Sequence, residues 1–275
     1  MRISTDPDAH LLATGIDEAG RRQYRYHPEF RDAADDVKFV RIAALGARIG
    51  RVRTVVRDAI GSEDPRERLT GLVARLIDTS LMRVGTERYA DEHDTYGAST
   101  LRCEHATLTN DVLQLCFTGK SGRERCIEVA DADLVGFVAD RTRQALPEDL
   151  IFATPAGWTV DGTNISDLLC SASRVEVSAK DLRTWGASRT MVDALCVAPA
   201  ADGGSRANQL TGAYDRVAEA LGNTRAVARN SYVAPVVAEA HEHGSLADCW
   251  AASRASRHRS RAEGTLDRLL GRAAD

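Results

Sequence analysis

Four short stretches hold side chains whose types could act on an oxyanion. They are Leu81-Met82-Arg83-Val84-Gly85, Thr118-Gly119-Lys120-Ser121-Gly122, Lys180-Asp181-Leu182-Arg183-Thr184-Trp185-Gly186, and the run from Asn223-Thr224-Arg225 to Asn230-Ser231-Tyr232. An arginine offers a planar fork of donors and keeps its charge near neutral pH, whereas a lysine ammonium can give a proton up. A tyrosine hydroxyl can serve as a nucleophile, and an asparagine amide can donate without titrating. Each stretch is weak alone, because arginine beside glycine and lysine in a turn are both common. The chain is otherwise sparing with lysine: Lys38, Lys120 and Lys180 are its only three among 36 basic residues.

Composition excludes several classes. With 275 residues, 43% hydrophobic and 28% charged, the chain can bury a substantial core in one or two domains. Its 36 basic against 40 acidic residues leave a net charge of −4, unlike a protein that holds nucleic acid by bulk charge. No apolar run approaches the ~18 residues of a membrane span, and no secretory segment is expected. The six cysteines (103, 116, 126, 170, 196 and 249) show no CxxC and no metal spacing. They read as thiols of a reducing compartment, with Cys116 and Cys126 as small buried apolar groups. There is no phosphate loop and no Gly-rich dinucleotide turn.

The elements that would position the four stretches are mostly helical. Residues 1–30 read as short strands (Arg2–Ser4, around His10–Thr14, and Arg22–Tyr26), with a turn at Asp17–Gly20 and a stop at Pro28. Ile42, Leu45, Ile49, Val52 and Val56 mark one helix, and Lys38, Arg41, Arg48, Arg51, Arg53 and Arg57 give it a basic face suited to a polyanion. Leu69–Met82 is a second helix. Thr107–Leu108, Val112–Thr118 and Arg123–Val129 read as strands, with Lys120 in the turn of the last hairpin. Helices then follow over 131–145, 163–173, 178–196, 207–221 and 224–242, with a small-residue loop at Ala198–Ser205. The fold class is mainly α with a small antiparallel sheet. Residues 253–275 read as an Arg-rich, solvated, fraying tail that could add phosphate contacts.

Taken in order and spacing, the four stretches resemble the catalytic domain of type IB DNA topoisomerases, of the poxvirus-like and bacterial branch. The resemblance runs from about His10 to about Ala240. It implies the fold of the DNA breaking-rejoining enzymes, shared with tyrosine recombinases. It also implies a catalytic pentad of Arg83, Lys120, Arg183, Asn223 and Tyr232. Asn223 stands where poxvirus members have histidine, as in bacterial relatives. In the chemistry so implied, Tyr232 attacks a DNA phosphodiester to form a 3′-phosphotyrosyl link. Arg83, Arg183 and Asn223 hold the non-bridging oxygens, and Lys120 protonates the leaving 5′-oxygen. Lys180, Tyr89, Gln23 and Tyr24 match positions expected to touch DNA, while Trp185 is expected in the core.

The resemblance implies ATP- and metal-independent relaxation of supercoiled duplex DNA, with no cofactor, nucleotide or membrane involved. It also implies a bacterial, cytoplasmic monomer associated with the nucleoid through DNA. Residues 1–30 resemble only the last part of the family's N-terminal β domain, most of which is expected to be missing. The catalytic domain is placed at 31–252 and the tail at 253–275. Weaker, more salt-sensitive DNA binding is expected from such a chain. Two other readings are a tyrosine site-specific recombinase and a DNA-binding module left inactive by truncation. Recombinases typically carry His-x-x-Arg where this chain has Lys180-Asp181-Leu182-Arg183.

Overall fold

The computed structural model describes residues 1–16, 22–109, 112–120, 122–197 and 204–274, without the side chains of 30–36 and 274. The turn expected at Asp17–Gly20, residue Ser121, and positions 198–203 of the small-residue loop lie outside the described residues.

The chain opens with a three-stranded antiparallel sheet, β1 (Arg2–Ile3), β2 (Leu11–Ile16) and β3 (Arg22–Tyr26), in the order β1-β2-β3. A second antiparallel sheet is built from β4 (Ala106–Thr109), β5 (Val112–Gly119) and β6 (Arg123–Val129), in the order β4-β5-β6. The helices up to residue 173 are α1 (Pro28–Gly46), α2 (Ile49–Ile60), α3 (Pro65–Ser80), α4 (Glu87–His93), α5 (Ala132–Gln144) and α6 (Gly162–Ser173), of which α3 and α5 pack against this sheet. The remaining helices are α7 (Ala179–Cys196), α8 (Arg206–Leu221), α9 (Arg225–Ser231), α10 (Pro235–His243), α11 (Ser245–Ala252) and α12 (Arg261–Ala274). The class is therefore mainly α, as expected, with two small sheets. Among the described residues no helix is long and apolar enough to cross a membrane.

Helix α7 is the axis of the core. Leu182, Trp185, Ala187, Met191 and Val192 are all buried, as are the polar Asp181, Arg183, Thr184 and Ser188. A helix buried on several sides shows little amphipathic contrast, because neighbours surround it: α1, α3, α6, α8, α10 and α12 all pack against it. Trp185 is fully buried, as the sequence suggested.

Several sequence expectations are corrected. The basic helix is two helices, broken between Gly46 and Ile49, and its basic residues do not form one free face. Arg53 points inward and bridges Asp78 and Glu263, at 2.7 and 2.6 Å. Arg41 lies 3.5 Å from buried Asp181. The stretch 224–242 is also two helices, because Pro235 has no N–H to continue the ladder and instead begins α10. The tail does not fray. Ala262, Leu266, Leu269 and Leu270 form a helical stripe that is buried against α1, α7, α10 and α11. The charges of that segment obscured this spacing.

Cys116 and Cys126 are not buried thiols. Strand alternation sends Leu113, Leu115 and Phe117 to the core and Cys116 to the opposite face. The β5–β6 register sets Cys126 directly across from it, and the two are joined as a disulfide. The expectation that these two are small buried thiols is corrected by this pairing.

The Arg53 network ties α2 and α3 to α12, and Trp185 Nε1 also donates to Glu263 at 3.3 Å. Burial alone would push the Glu263 carboxyl up, but the hydrogen bonds and charge of Arg53 hold it below the usual carboxylate range. A carboxyl depressed in the fold stabilises the protein above its unfolded value, and that contribution is lost as pH falls through the folded value. Arg53→Ala would leave the buried Asp78 and Glu263 carboxylates without their ion-pair partner. It is expected to cost about 3–5 kcal/mol, read as a lower urea midpoint at unchanged slope. A wild-type midpoint would show that the network contributes nothing.

Candidate active site

The site is built around Arg183, a cation in the core helix with 3% exposure. Its Nε donates to the carbonyl of Leu81 at 2.8 Å, and Nη1 donates to the Tyr232 hydroxyl at 3.0 Å. The third nitrogen, Nη2, is buried and has no protein partner. Leu81 offers its carbonyl because it caps α3 in the left-handed region, at φ 57°. A bulky residue rarely adopts that conformation, and packing against α7 holds it there.

Tyr232 sits at the end of α9, where the chain turns before Pro235. Ser188, one turn and a residue beyond Arg183 on α7, clamps this turn. Its hydroxyl donates to the Tyr232 carbonyl at 3.2 Å and accepts from the Ala234 N–H at 3.0 Å. The same helix thus fixes both the Tyr232 backbone and its hydroxyl. From α1, Lys38 Nζ donates to the neighbouring Ser231 carbonyl at 3.3 Å.

Arg83 and Asn223 form a second pair. Arg83 Nη2 donates to Asn223 Oδ1 at 2.8 Å. That bond orients the amide, so that Nδ2 is left as a buried donor without a partner. The loop carrying Arg83 is pinned by two backbone bonds, from Ala98 N–H to the Arg83 carbonyl and from Ser99 N–H to the Val84 carbonyl. Gly85 closes it at φ +96°, where a Cβ would lie 2.7 Å from Thr100 Oγ1.

Lys120 follows β5 and is exposed. With Arg83, Tyr96 and Arg125 it lines a tight cleft. With Arg83, Tyr89 and Tyr96 it also lines a wider one of about 280 Å³. Arg183 is thus bonded to Tyr232 and Arg83 to Asn223, Arg83 shares a cleft with Lys120, and the charge of Arg83 acts on both Arg183 and Tyr232. Lys180 is exposed, and its charge acts on Tyr232. Gln23 and Tyr24 are exposed on β3, with Tyr24 stacked on Tyr26, and line neither cleft. The sequence reading missed Ser188, the Leu81 carbonyl and Arg125. The proline inside the expected 224–242 helix was the available signal for the turn at Tyr232. Among the described residues, no group of three or more His, Cys, Asp or Glu is placed to hold a metal ion.

Burial alone would raise the Tyr232 phenol. The charges of Arg183 and Arg83, the Arg183 hydrogen bond and the charge of Lys180 outweigh it, and the phenol lies below the ordinary tyrosine value. Burial also lowers the Arg183 guanidinium; Tyr232 opposes this while Arg83 adds to it. A cationic site thus favours the phenolate before any substrate enters. In ultraviolet titration, the Tyr232 signal, taken as wild type minus Tyr232→Phe, is expected to ionise below the other tyrosines. Arg183→Ala should move it upward, since burial would then be less opposed. An unmoved titration would show that Arg183 does not tune this hydroxyl.

The family described as eukaryotic DNA topoisomerase I, catalytic core, matches residues 27–244. DNA topoisomerase 1B of Acanthamoeba polyphaga mimivirus is 27% identical over 254 residues, covering 88% of this chain and 75% of that one. DNA topoisomerase 1B of Vaccinia virus (strain Copenhagen) is 23% identical over 238 residues, covering 83% and 72%. Among solved structures, a XerH site-specific recombinase in a post-cleavage complex with palindromic difH substrate aligns at a TM-score of 0.49 and 18% identity. That alignment covers 73% of this chain and 51% of the recombinase.

Proposed function

The chain belongs to the DNA topoisomerase I catalytic-core family, and from that premise we propose that Arg83, Lys120, Arg183, Asn223 and Tyr232 form its strand-transfer centre. As a type IB topoisomerase, it relaxes supercoiled duplex DNA by cutting one strand through a tyrosyl intermediate and resealing it. The observation that carries the site reading is the 3.0 Å bond between two buried groups, Arg183 and Tyr232; Arg183 Nη2 and Asn223 Nδ2 are buried donors without a protein partner. Buried donors without partners are costly, and a phosphodiester oxygen would satisfy both.

In this reading Tyr232 Oη attacks the phosphorus and O5′ leaves, giving a 3′-phosphotyrosyl link. Charge grows on the two non-bridging oxygens. The guanidinium forks of Arg83 and Arg183 and the amide of Asn223 meet it there, already oriented by their own hydrogen bonds. Fixed cationic groups stabilise this charge without a metal ion. Lys120 gives its proton to O5′; an arginine would hold the proton too tightly. The tyrosyl link conserves the phosphodiester energy, so resealing is the reverse reaction and needs no ATP. Between the steps the free 5′ end lets the duplex rotate.

Lys180, Tyr89, Gln23 and Tyr24 are assigned to DNA contact on their exposure and on the family resemblance. Residues 31–252 are read as the catalytic domain. The resemblance to the bacterial branch, carried by Asn223, supports a bacterial monomer acting on the nucleoid in the cytoplasm.

Relaxation of a supercoiled plasmid without ATP or Mg²⁺ tests the reading. Tyr232→Phe is expected to abolish both relaxation and the covalent DNA adduct. Binding with no adduct from the wild-type enzyme would sink it. Asn223→Ala is expected to slow single-turnover cleavage by about 10²-fold, as loss of one fixed oxyanion donor does. Because asparagine does not titrate, the wild-type rate should show no histidine-like step near pH ~6.5. A wild-type rate from Asn223→Ala would remove that residue from the site.

A further inference from the structure

We infer that Arg125, which neither the motifs nor the pentad include, is a positioning residue that holds Lys120 against the turn carrying Asn223. The inference rests on the strand-transfer reading above. Arg125 lies on β6 opposite Phe117, so it shares the core-facing side of the hairpin with Phe117 and Gly119. Its aliphatic stem runs over Gly119, the residue before Lys120, where a Cβ would stand 3.3 Å from Arg125 Cδ. Its guanidinium reaches the end of α8. Nη2 donates to the Ala220 carbonyl at 2.9 Å and Nη1 to the Leu221 carbonyl at 3.4 Å.

Those carbonyls belong to the last turn of α8, where no helical N–H follows to satisfy them and the helix end carries partial negative charge. The guanidinium also rests on Gly222, the residue before Asn223. A Cβ there would lie 2.7 Å from Arg125 Nε, and Gly222 adopts φ +63°. One side chain therefore sits on the residue preceding the proton donor and on the residue preceding the oxyanion donor. Its partners are carbonyls rather than a carboxylate, so its charge is not neutralised. Burial and the nearby charge of Arg83 both lower its affinity for the proton. Lys120, Gly122 and Arg123 are exposed, and Arg125 ties this end of the hairpin to the turn that carries Asn223.

The test uses single-turnover cleavage of two duplexes, one with the natural bridging 5′-oxygen and one with 5′-sulfur at the scissile phosphate. A thiolate, from a thiol of pKa about 8.5, leaves without the proton that an alkoxide requires. Lys120→Ala is the reference and is expected to be slow on oxygen and restored on sulfur. Arg125→Ala should follow the same pattern: about 10²-fold slower than wild type on oxygen, as small misplacements can cause, and within a few-fold of wild type on sulfur.

The sulfur substrate reports folding as well, since an unfolded variant cleaves neither duplex. A wild-type oxygen rate from Arg125→Ala, or an equal loss on both substrates, overturns the positioning role. If Lys120→Ala itself shows no recovery on sulfur, the proton-donor reading fails and the inference fails with it. If Lys120→Ala recovers and Arg125→Ala does not, only the inference fails.

Discussion

The structure turns on a buried arginine. Arg183 lies in the helix that forms the axis of the core, where an uncompensated charge would be costly. The fold meets this cost with a carbonyl released by the left-handed end of α3 and with the hydroxyl of Tyr232. Both partners arrive from distant parts of the chain. A change in how α3, α7 or α9 pack would therefore misplace the guanidinium, and with it the hydroxyl whose ionisation it favours. The remaining nitrogen and the Asn223 amide nitrogen are both buried without protein partners.

The same helix couples the site to the stability of the whole molecule. Ser188 holds the Tyr232 carbonyl and the Ala234 N–H, while Trp185, a turn away on the same helix, reaches the carboxylate that Arg53 holds. Arg53 in turn joins α2, α3 and the terminal helix α12. The segment with the most charges per residue near the C-terminus thus closes the core through four small or apolar side chains. An acidic net charge is compatible with a DNA enzyme in this arrangement. Some arginines neutralise buried acids, as Arg53 and Arg41 do, and the ones around Tyr232 face neutral groups.

The hairpin shows how local order serves the site. Its alternation sends Leu113, Leu115 and Phe117 inward, sets the two cysteines opposite one another outside, and leaves Lys120 at the exposed end. The register that pairs Cys116 with Cys126 also pairs Phe117 with Arg125. A slip of one residue would turn Arg125 away from α8 and detach the Lys120 turn from Asn223.

The sequence by itself determined much about this protein. Hydrophobic spacing marked most helices, β-branched alternation marked the second sheet, and five residues in four motifs carried the family resemblance. These features are local or follow chain order, so they survive without coordinates. What only the tertiary structure decided depends on residues far apart in sequence. Which arginines face inward is set by acids 25 and 210 residues away for Arg53. Whether a charged tail packs is set by the groove it meets, and whether two cysteines bond is set by register. Ser188, the Leu81 carbonyl and Arg125 carry no motif, because their roles consist of contacts that exist only after α3, α7, α8 and the hairpin have come together.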